Sequence, residues 1–321
     1  MNSQFFSFVI GKMSRFSLLV LLLFGSIALT SCEDDEDPAG QQNIAQIVSS
    51  NPNFSYLLAA VQKAELASAL STGTLTVFAP TNQAFQEAGF ETVGELTALT
   101  KEQLQTILQY HVLPSKVLAA NIPTANNTVV KTLQGSDVYV TKNAAGVSIN
   151  GSLVTQADVA AANGVIHVID FPLSVPSQNL VQIAQGNSNF SLLVAAVLRA
   201  SQGTTNVAQV LSGSTALTVF APTNQAFIDA GFANEAAINA ADPNVLANIL
   251  TYHVLPGRVF STNLTAGDVT TAQGGTFSLQ ITSSAVTIQG DGNTEAPAQV
   301  TGVNLLATNG VIHVINKVLL P

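Results

Sequence analysis

The chain has 321 residues, only 9% of them charged, and a formal net charge of -9. That length accommodates two ordinary domains, each able to bury a core without staples. The acidic balance, with no basic stripe in either half, argues against nucleic acid as a partner, and a single cysteine excludes an intrachain disulfide.

Lys12 and Arg15 precede an apolar stretch, Phe16 to Leu29, which ends in Leu29-Thr30-Ser31-Cys32. Basic residues, a short apolar core and small residues at its end fit a signal peptide over 1–32 better than a spanning helix. The Leu-x-Ser-Cys ending resembles the lipobox of bacterial lipoproteins, which implies lipidation of Cys32 and membrane attachment. Glu33 to Asp37 are five adjacent acids that repel and cannot pack, so residues 33–42 are expected to be a solvated tether. That run is similar to acidic signals that send some lipoproteins to the outer face of the outer membrane; the alternative is a plain tether with periplasmic domains.

Beyond the tether the chain says nearly the same thing twice. Thr76-Val-Phe-Ala-Pro-Thr-Asn-Gln-Ala-Phe85 reappears at Thr218 to Phe227, Tyr110-His-Val-Leu-Pro114 at Tyr252 to Pro256, and Asn163-Gly-Val-Ile-His-Val-Ile169 at Asn309 to Ile315. A nearly constant offset between ordered words means two copies of one folding unit. The copies are expected at 43–173 and 179–321, joined by a linker at 174–178 that overlaps the stretch Phe171 to Pro176, whose two prolines should make it stiff.

In the first copy, apolar residues at helical spacing from Ile44 to Val61 predict two helices split near Asn51-Pro52. Leu75 to Phe78 alternates as a strand, and Thr81 and Asn82 are suited to cap a helical turn after it. Thr100-x-x-Gln103 has the form of a capping box; the second copy has Asp242 as cap and Pro243 at the first helical position instead. Short β-branched runs follow at 138–140, 147–149, 153–154 and 165–169, separated by Gly and Asn. They lie too close together for intervening helices, so a largely antiparallel sheet is expected, and each copy is an α+β unit. The second copy gains six residues before its Thr-Val-Phe word, with Gly203 to Asn206 expected to form a loop.

These three words resemble the signatures of the fasciclin-type domain family. The resemblance implies two tandem domains, each of helices packed with a mostly antiparallel β-sandwich or wedge. It also implies extracellular or cell-envelope adhesion and matrix roles. One departure is visible: the acid after the last word is Asp170 in the first copy but Asn316 in the second.

All four histidines lie in the repeated words. His167 and His313 sit in alternating strands among apolar neighbours, which reads as core imidazole satisfying backbone groups, with no second ligand at metal spacing. Thr81, Asn82, Thr223 and Asn224 read as structural, the asparagines bonding the local turn backbone. Tyr110-His111 and Tyr252-His253 are the candidates for a recognition edge, because the resemblance links this pair to integrin recognition in some animal relatives. Glu91 and Glu95 read as a solvated helical pair. Asp291 to Glu295 lacks most ligands of a calcium loop and reads as a hairpin tip. There is no Gly-x-Ser-x-Gly elbow, His-Glu-x-x-His or phosphate-binding Gly loop, so no enzyme and no cofactor is expected.

The expected function is a lipid-anchored, non-enzymatic adhesion protein binding protein or matrix partners. A glycan-binding protein ranks lower, since sugar sites use aromatic platforms and the chain has no Trp and four Tyr. A carrier of a small apolar ligand, held between helices and sheet, is the third reading.

Overall fold

The computed structural model describes residues 40–282 and 285–321. The expected signal peptide, Cys32 and most of the acidic tether lie outside the described residues. Gln41–Pro321 forms one compact unit containing both repeats. No helix among the described residues is long and apolar enough to cross a membrane.

Repeat 1 opens with α1 (Ile44–Ser50) and α2 (Ser55–Lys63), separated by a 3-10 turn at Pro52–Phe54. Asn43 and Gln46 form a capping box, and Asn51 caps the turn where Pro52 ends the first helix. Strand β1 (Leu75–Pro80) runs through Ala79-Pro80, two residues past its expected stop. It is followed by α3 (Asn82–Glu87), α4 (Val93–Thr97) and α5 (Lys101–Tyr110). The Thr100/Gln103 capping box forms as its spacing predicts. Glu95 is not simply solvated: it closes a second capping box with Thr92. The sheet is completed by β2 (Val112–Leu113), β3 (Thr128–Lys131), β4 (Asp137–Asn143), β5 (Gly146–Ile149), β6 (Ser152–Ala161) and β7 (Gly164–Ile169).

The seven strands take the order β2-β1-β7-β6-β5-β4-β3. Every pairing is antiparallel except β1 with β7, which run parallel from Leu75↔Gly164 to Pro80↔Ile169. Strand β6 joins the two halves: Ser152 and Leu153 pair with β5, and the rest pairs with β7 through two register shifts. Such irregularities bend a strand and raise its twist, which folds the sheet over a core of its own. One apolar core lies between the helices and one face of β1 and β7, including Val77, Ile166 and Val168. The other lies within the sheet and includes Phe78, Tyr110, Ile149 and Ile169. The alternation of β7 thus supplies both cores, and all six of its residues are buried.

Repeat 2 repeats this order with α6 (Leu180–Gln185), α7 (Ser191–Ala200), α8 (Val207–Ser212), β8 (Leu217–Pro222), α9 (Asn224–Asp229), α10 (Glu235–Ala240) and α11 (Pro243–Tyr252). Its strands are β9 (Val254–Pro256), β10 (Gly267–Thr270), β11 (Thr276–Ile281), β12 (Val286–Gly290), β13 (Ala298–Ala307) and β14 (Gly310–Ile315). Asp242 accepts from the N–H groups of Asn244 and Val245, with Pro243 at the first helical position. The extra residues do more than loop out. After a turn they form α8, capped by Asn206, which buries Val207 and Leu211 where repeat 1 has only a 3-10 turn at Ala69–Ser71.

Candidate functional site

The residues repeated between the copies are engaged by backbone. Thr81 caps α3 by accepting from the Ala84 N–H at 3.2 Å, and Thr223 does the same for α9 at 3.3 Å. Asn82 reaches further than its local turn. Its Oδ1 accepts from the Tyr56 N–H at 3.0 Å in the first turn of α2, and its Nδ2 donates to the Pro52 carbonyl at 2.9 Å. Asn224 makes the same pair with Leu192 and Ser188. These asparagines hold the start of a helix that lies about thirty residues earlier in the chain, so a reading confined to local turn chemistry missed the partner. Thr76, fully buried, donates to the Ser115 carbonyl at 2.6 Å and accepts from Val117 at 2.8 Å.

The Tyr-His pairs are inside the fold, which corrects the expected recognition edge. Tyr110 and Tyr252 are 0% exposed, His111 2% and His253 1%. The Tyr110 hydroxyl donates to the Asp137 carbonyl at 2.8 Å and accepts from Asn150 Nδ2 at 2.9 Å; burial pushes its pKa up to about 12. The Tyr252 hydroxyl bonds the Thr276 carbonyl and accepts from the Asp291 N–H. His111 terminates α5, with Nδ1 donating to the Ile107 carbonyl at 2.8 Å and Nε2 accepting from the Leu173 N–H at 2.8 Å. His253 repeats both bonds with Ile249 and Leu319. Each imidazole therefore staples a helix C-terminus to the last residues of its own repeat. Burial holds both well below the usual imidazole range, at about 4.

The last repeated word is built the same way. Asn163 accepts from the Ile44 N–H and donates to the Leu70 carbonyl, both at 2.9 Å, tying the start of α1 to β7. Asn309 does this with Leu180 and Leu211. His167 donates from Nε2 to the Val117 carbonyl at 2.8 Å, and its Nδ1 accepts from the Asp158 N–H at 3.2 Å. His313 keeps the first bond, to Val259 at 2.9 Å, but its Nδ1 is buried without a partner. Asp170 accepts from the Leu153 N–H at 2.7 Å, and Asn316 makes the matching bond to Gln299 at 2.7 Å through its amide oxygen. The departure from Asp to Asn therefore preserves the backbone contact.

Where the copies differ, they touch each other. The Arg258 guanidinium lies over the Tyr139 ring, 4.3 Å from its centroid, and donates to the Ala307 and Thr308 carbonyls of its own repeat. Tyr139 also packs on Phe260, with centroids 5.9 Å apart. Around this contact Asn143 donates to the Thr262 carbonyl at 2.9 Å, Ser148 meets the Thr262 hydroxyl at 2.8 Å, Asn263 donates to Thr141 at 2.9 Å, and Asn127 bonds the Arg258 carbonyl. The only hint in the sequence is that these positions escape the repeat: Lys116 corresponds to Arg258, and Ser278 to Tyr139.

Among the described residues, no group of three or more His, Cys, Asp or Glu side chains is placed to hold a metal ion. In the Asp291 to Glu295 segment, Asn293 bonds the backbone of Val318 and Leu320, each at 2.9 Å, and fastens the loop to the end of the chain.

Comparison with known proteins finds the fasciclin domain model twice, at residues 52–176 and 188–321. Transforming growth factor-beta-induced protein ig-h3 of Sus scrofa is 30% identical over 78% of this chain and 35% of its own length. The chain thus spans about a third of that relative. Protein sll1483 of Synechocystis is 43% identical over 40% of this chain and 70% of its own. A FAS1 domain pair from the insect cell adhesion molecule fasciclin I matches 83% of this chain and 96% of its own, at 19% identity and a TM-score of 0.41.

Proposed function

This chain belongs to the fasciclin domain family, matched over both repeats, and on that premise we propose that it is a non-enzymatic, lipid-anchored adhesion protein of the cell envelope. Signal removal at residue 32 leaves Cys32 lipidated in the outer membrane, with the acidic residues 33–42 as tether. The repeats at 43–173 and 179–321 then meet extracellular protein or matrix partners.

The observation that carries this reading is the use made of the duplicated polar side chains. His111 and His253 have both ring nitrogens bonded to backbone, and a general base needs a free lone pair within reach of a substrate. A scaffold whose shared residues fix its shape leaves recognition to the surface, where two linked modules can add their contacts. A glycan reading is disfavoured by the tyrosines. Tyr110 and Tyr252 are enclosed, Tyr139 lies under Arg258, and Tyr56 is buried with its hydroxyl on the Glu91 carbonyl. None of the four offers an open ring face as a sugar platform.

The test uses whole cells carrying the full chain or its Cys32→Ala variant. The parent protein should partition with membranes, be shaved from intact cells by protease, and raise adhesion to an immobilised protein matrix severalfold. The variant should leave the cell surface and lose that adhesion. Undiminished surface display of Cys32→Ala, or equal adhesion with and without the protein, overturns the reading.

A further inference from the structure

Each repeat contains a cavity between its helices and its first strand, built from matching positions. Leu57, Val61 and Val77 line the one in repeat 1; Leu193, Val197 and Val219 line the one in repeat 2. The enclosed apolar spaces differ: about 50 Å³ in repeat 1, which adjoins a more open and more polar groove of about 440 Å³ along α1 and α2 that shares Val48, Val61 and Leu70, and about 110 Å³ in repeat 2. Two changes in the wall account for this. Val48 of α1, buried in repeat 1, corresponds to Ala184 of α6, which removes two methyl groups from the lining. The inserted helix α8 also replaces the 3-10 turn and presents Ala208 to the space.

The larger cavity is hydrocarbon-lined. The imidazole of His253 reaches it with both nitrogens already bonded. A water molecule needs two to four polar partners, whereas apolar cavities of about 150 Å³ stay dry and accept benzene or xenon. At the rim stand Gln185, exposed, and Leu198, an apolar side chain 54% exposed on α7. Exposed apolar surface at Leu198 therefore borders the cavity where α6 and α7 line it.

We propose that repeat 2, and not repeat 1, binds a small apolar guest between α6, α7, α8 and β8. The guest is a compact hydrocarbon or the end of an alkyl chain, without hydrogen-bonding groups in the enclosed part. The proposal rests on the cavity alone and stands whether or not adhesion is found.

Methyl NMR of the full chain, titrated with benzene and with 1-octanol, tests it. Saturable shifts should appear at Leu193, Val197 and Ile312, with the equivalent methyls of repeat 1 unmoved. Ala184→Val installs the residue that repeat 1 carries, and should weaken binding at least tenfold while leaving the spectrum of repeat 1 unchanged. Val48→Ala should give repeat 1 a binding response it lacks. Tighter binding of octanol assigns the site to a chain end, and tighter binding of benzene to a compact guest. Absence of saturable shifts, equal shifts in both repeats, or affinity unaffected by Ala184→Val overturns the proposal.

Discussion

His167 and His313 occupy the same place in identical words, yet only His167 has both nitrogens satisfied. In repeat 1, Asp158 supplies its backbone N–H to the ring and its carboxylate to the Ala119 N–H at 2.9 Å. In repeat 2 the corresponding residue, Asn304, accepts from the Ser261 N–H at 2.8 Å and turns its amide toward the Ser261 hydroxyl and, at 3.4 Å, the Gly151 carbonyl of repeat 1. An internal bond is missing where a contact between repeats has formed. Leaving a buried ring nitrogen unpaired costs about 1–3 kcal/mol. The two copies thus share a framework of backbone-directed polar residues and diverge where one copy meets the other and where a cavity has opened.

The strongest way to break the shared framework is at its parallel strand pair. A Cβ on Gly164 would sit 2.0 Å from the Leu75 carbonyl oxygen, and one on Gly310 would sit 2.2 Å from that of Leu217. Neither backbone oxygen can move without breaking the pairing. Gly164→Ala and Gly310→Ala should each destabilise their own repeat by more than about 4 kcal/mol, visible as loss of that repeat's dispersed NMR signals. Equal damage to both repeats from either substitution would mean that the copies do not fold around separate cores.

Acid comes next. Burial, the dominant cause, lowers His111, His253 and His313 from 6.5 to about 4. The unfolded chain protonates near 6.5 and the folded chain resists. Their contribution to stability is therefore fully present above about pH 6.5 and is lost as pH falls toward 4. Each histidine contributes about 1.4 kcal/mol per pH unit within that window. Urea unfolding between pH 7 and 4.5 should show this slope, and His313→Gln should reduce it by about a third. A flat profile would place these rings in water.

Much of the framework was legible because it is local. The Thr100 capping box, the Asp242-Pro243 start of α11 and the alternation of β7 each depend on residues a few positions apart. What was missed depends on partners far along the chain. Asn82 bonds the start of α2, and β1 pairs in parallel with a strand some ninety residues later. Tyr110 and His111 look available in the sequence because nothing near them shows that Asp137, Asn150 and Leu173 close over them. The contact between repeats was hidden for another reason: Arg258 and Tyr139 lie at positions the duplication does not repeat.

That contact gives a smaller effect. Arg258→Lys removes the planar group stacked on Tyr139 and should cost about 1–2 kcal/mol. A double-mutant cycle with Tyr139→Leu should return a coupling near 1 kcal/mol; zero coupling would reduce the contact to mere proximity. Least of all, Asp170→Asn should change stability by less than about 0.5 kcal/mol, because the amide oxygen of Asn316 already performs that role in repeat 2. Ser152→Ala should cost about 1–2 kcal/mol, since the Ser152 hydroxyl donates to the Phe171 carbonyl at 2.7 Å and accepts from its N–H at 3.0 Å.

The shared imidazoles hold the fold together through fixed bonds to backbone. Nitrogen-15 NMR of the histidine rings in the full chain at pH 7 tests it most directly. The bonding predicts the Nδ1–H tautomer for His111 and His253 and the Nε2–H tautomer for His167 and His313, with His111, His253 and His313 still neutral at pH 5.5. Mixed tautomers at the paired positions, or protonation of those three rings near pH 6.5, would contradict it.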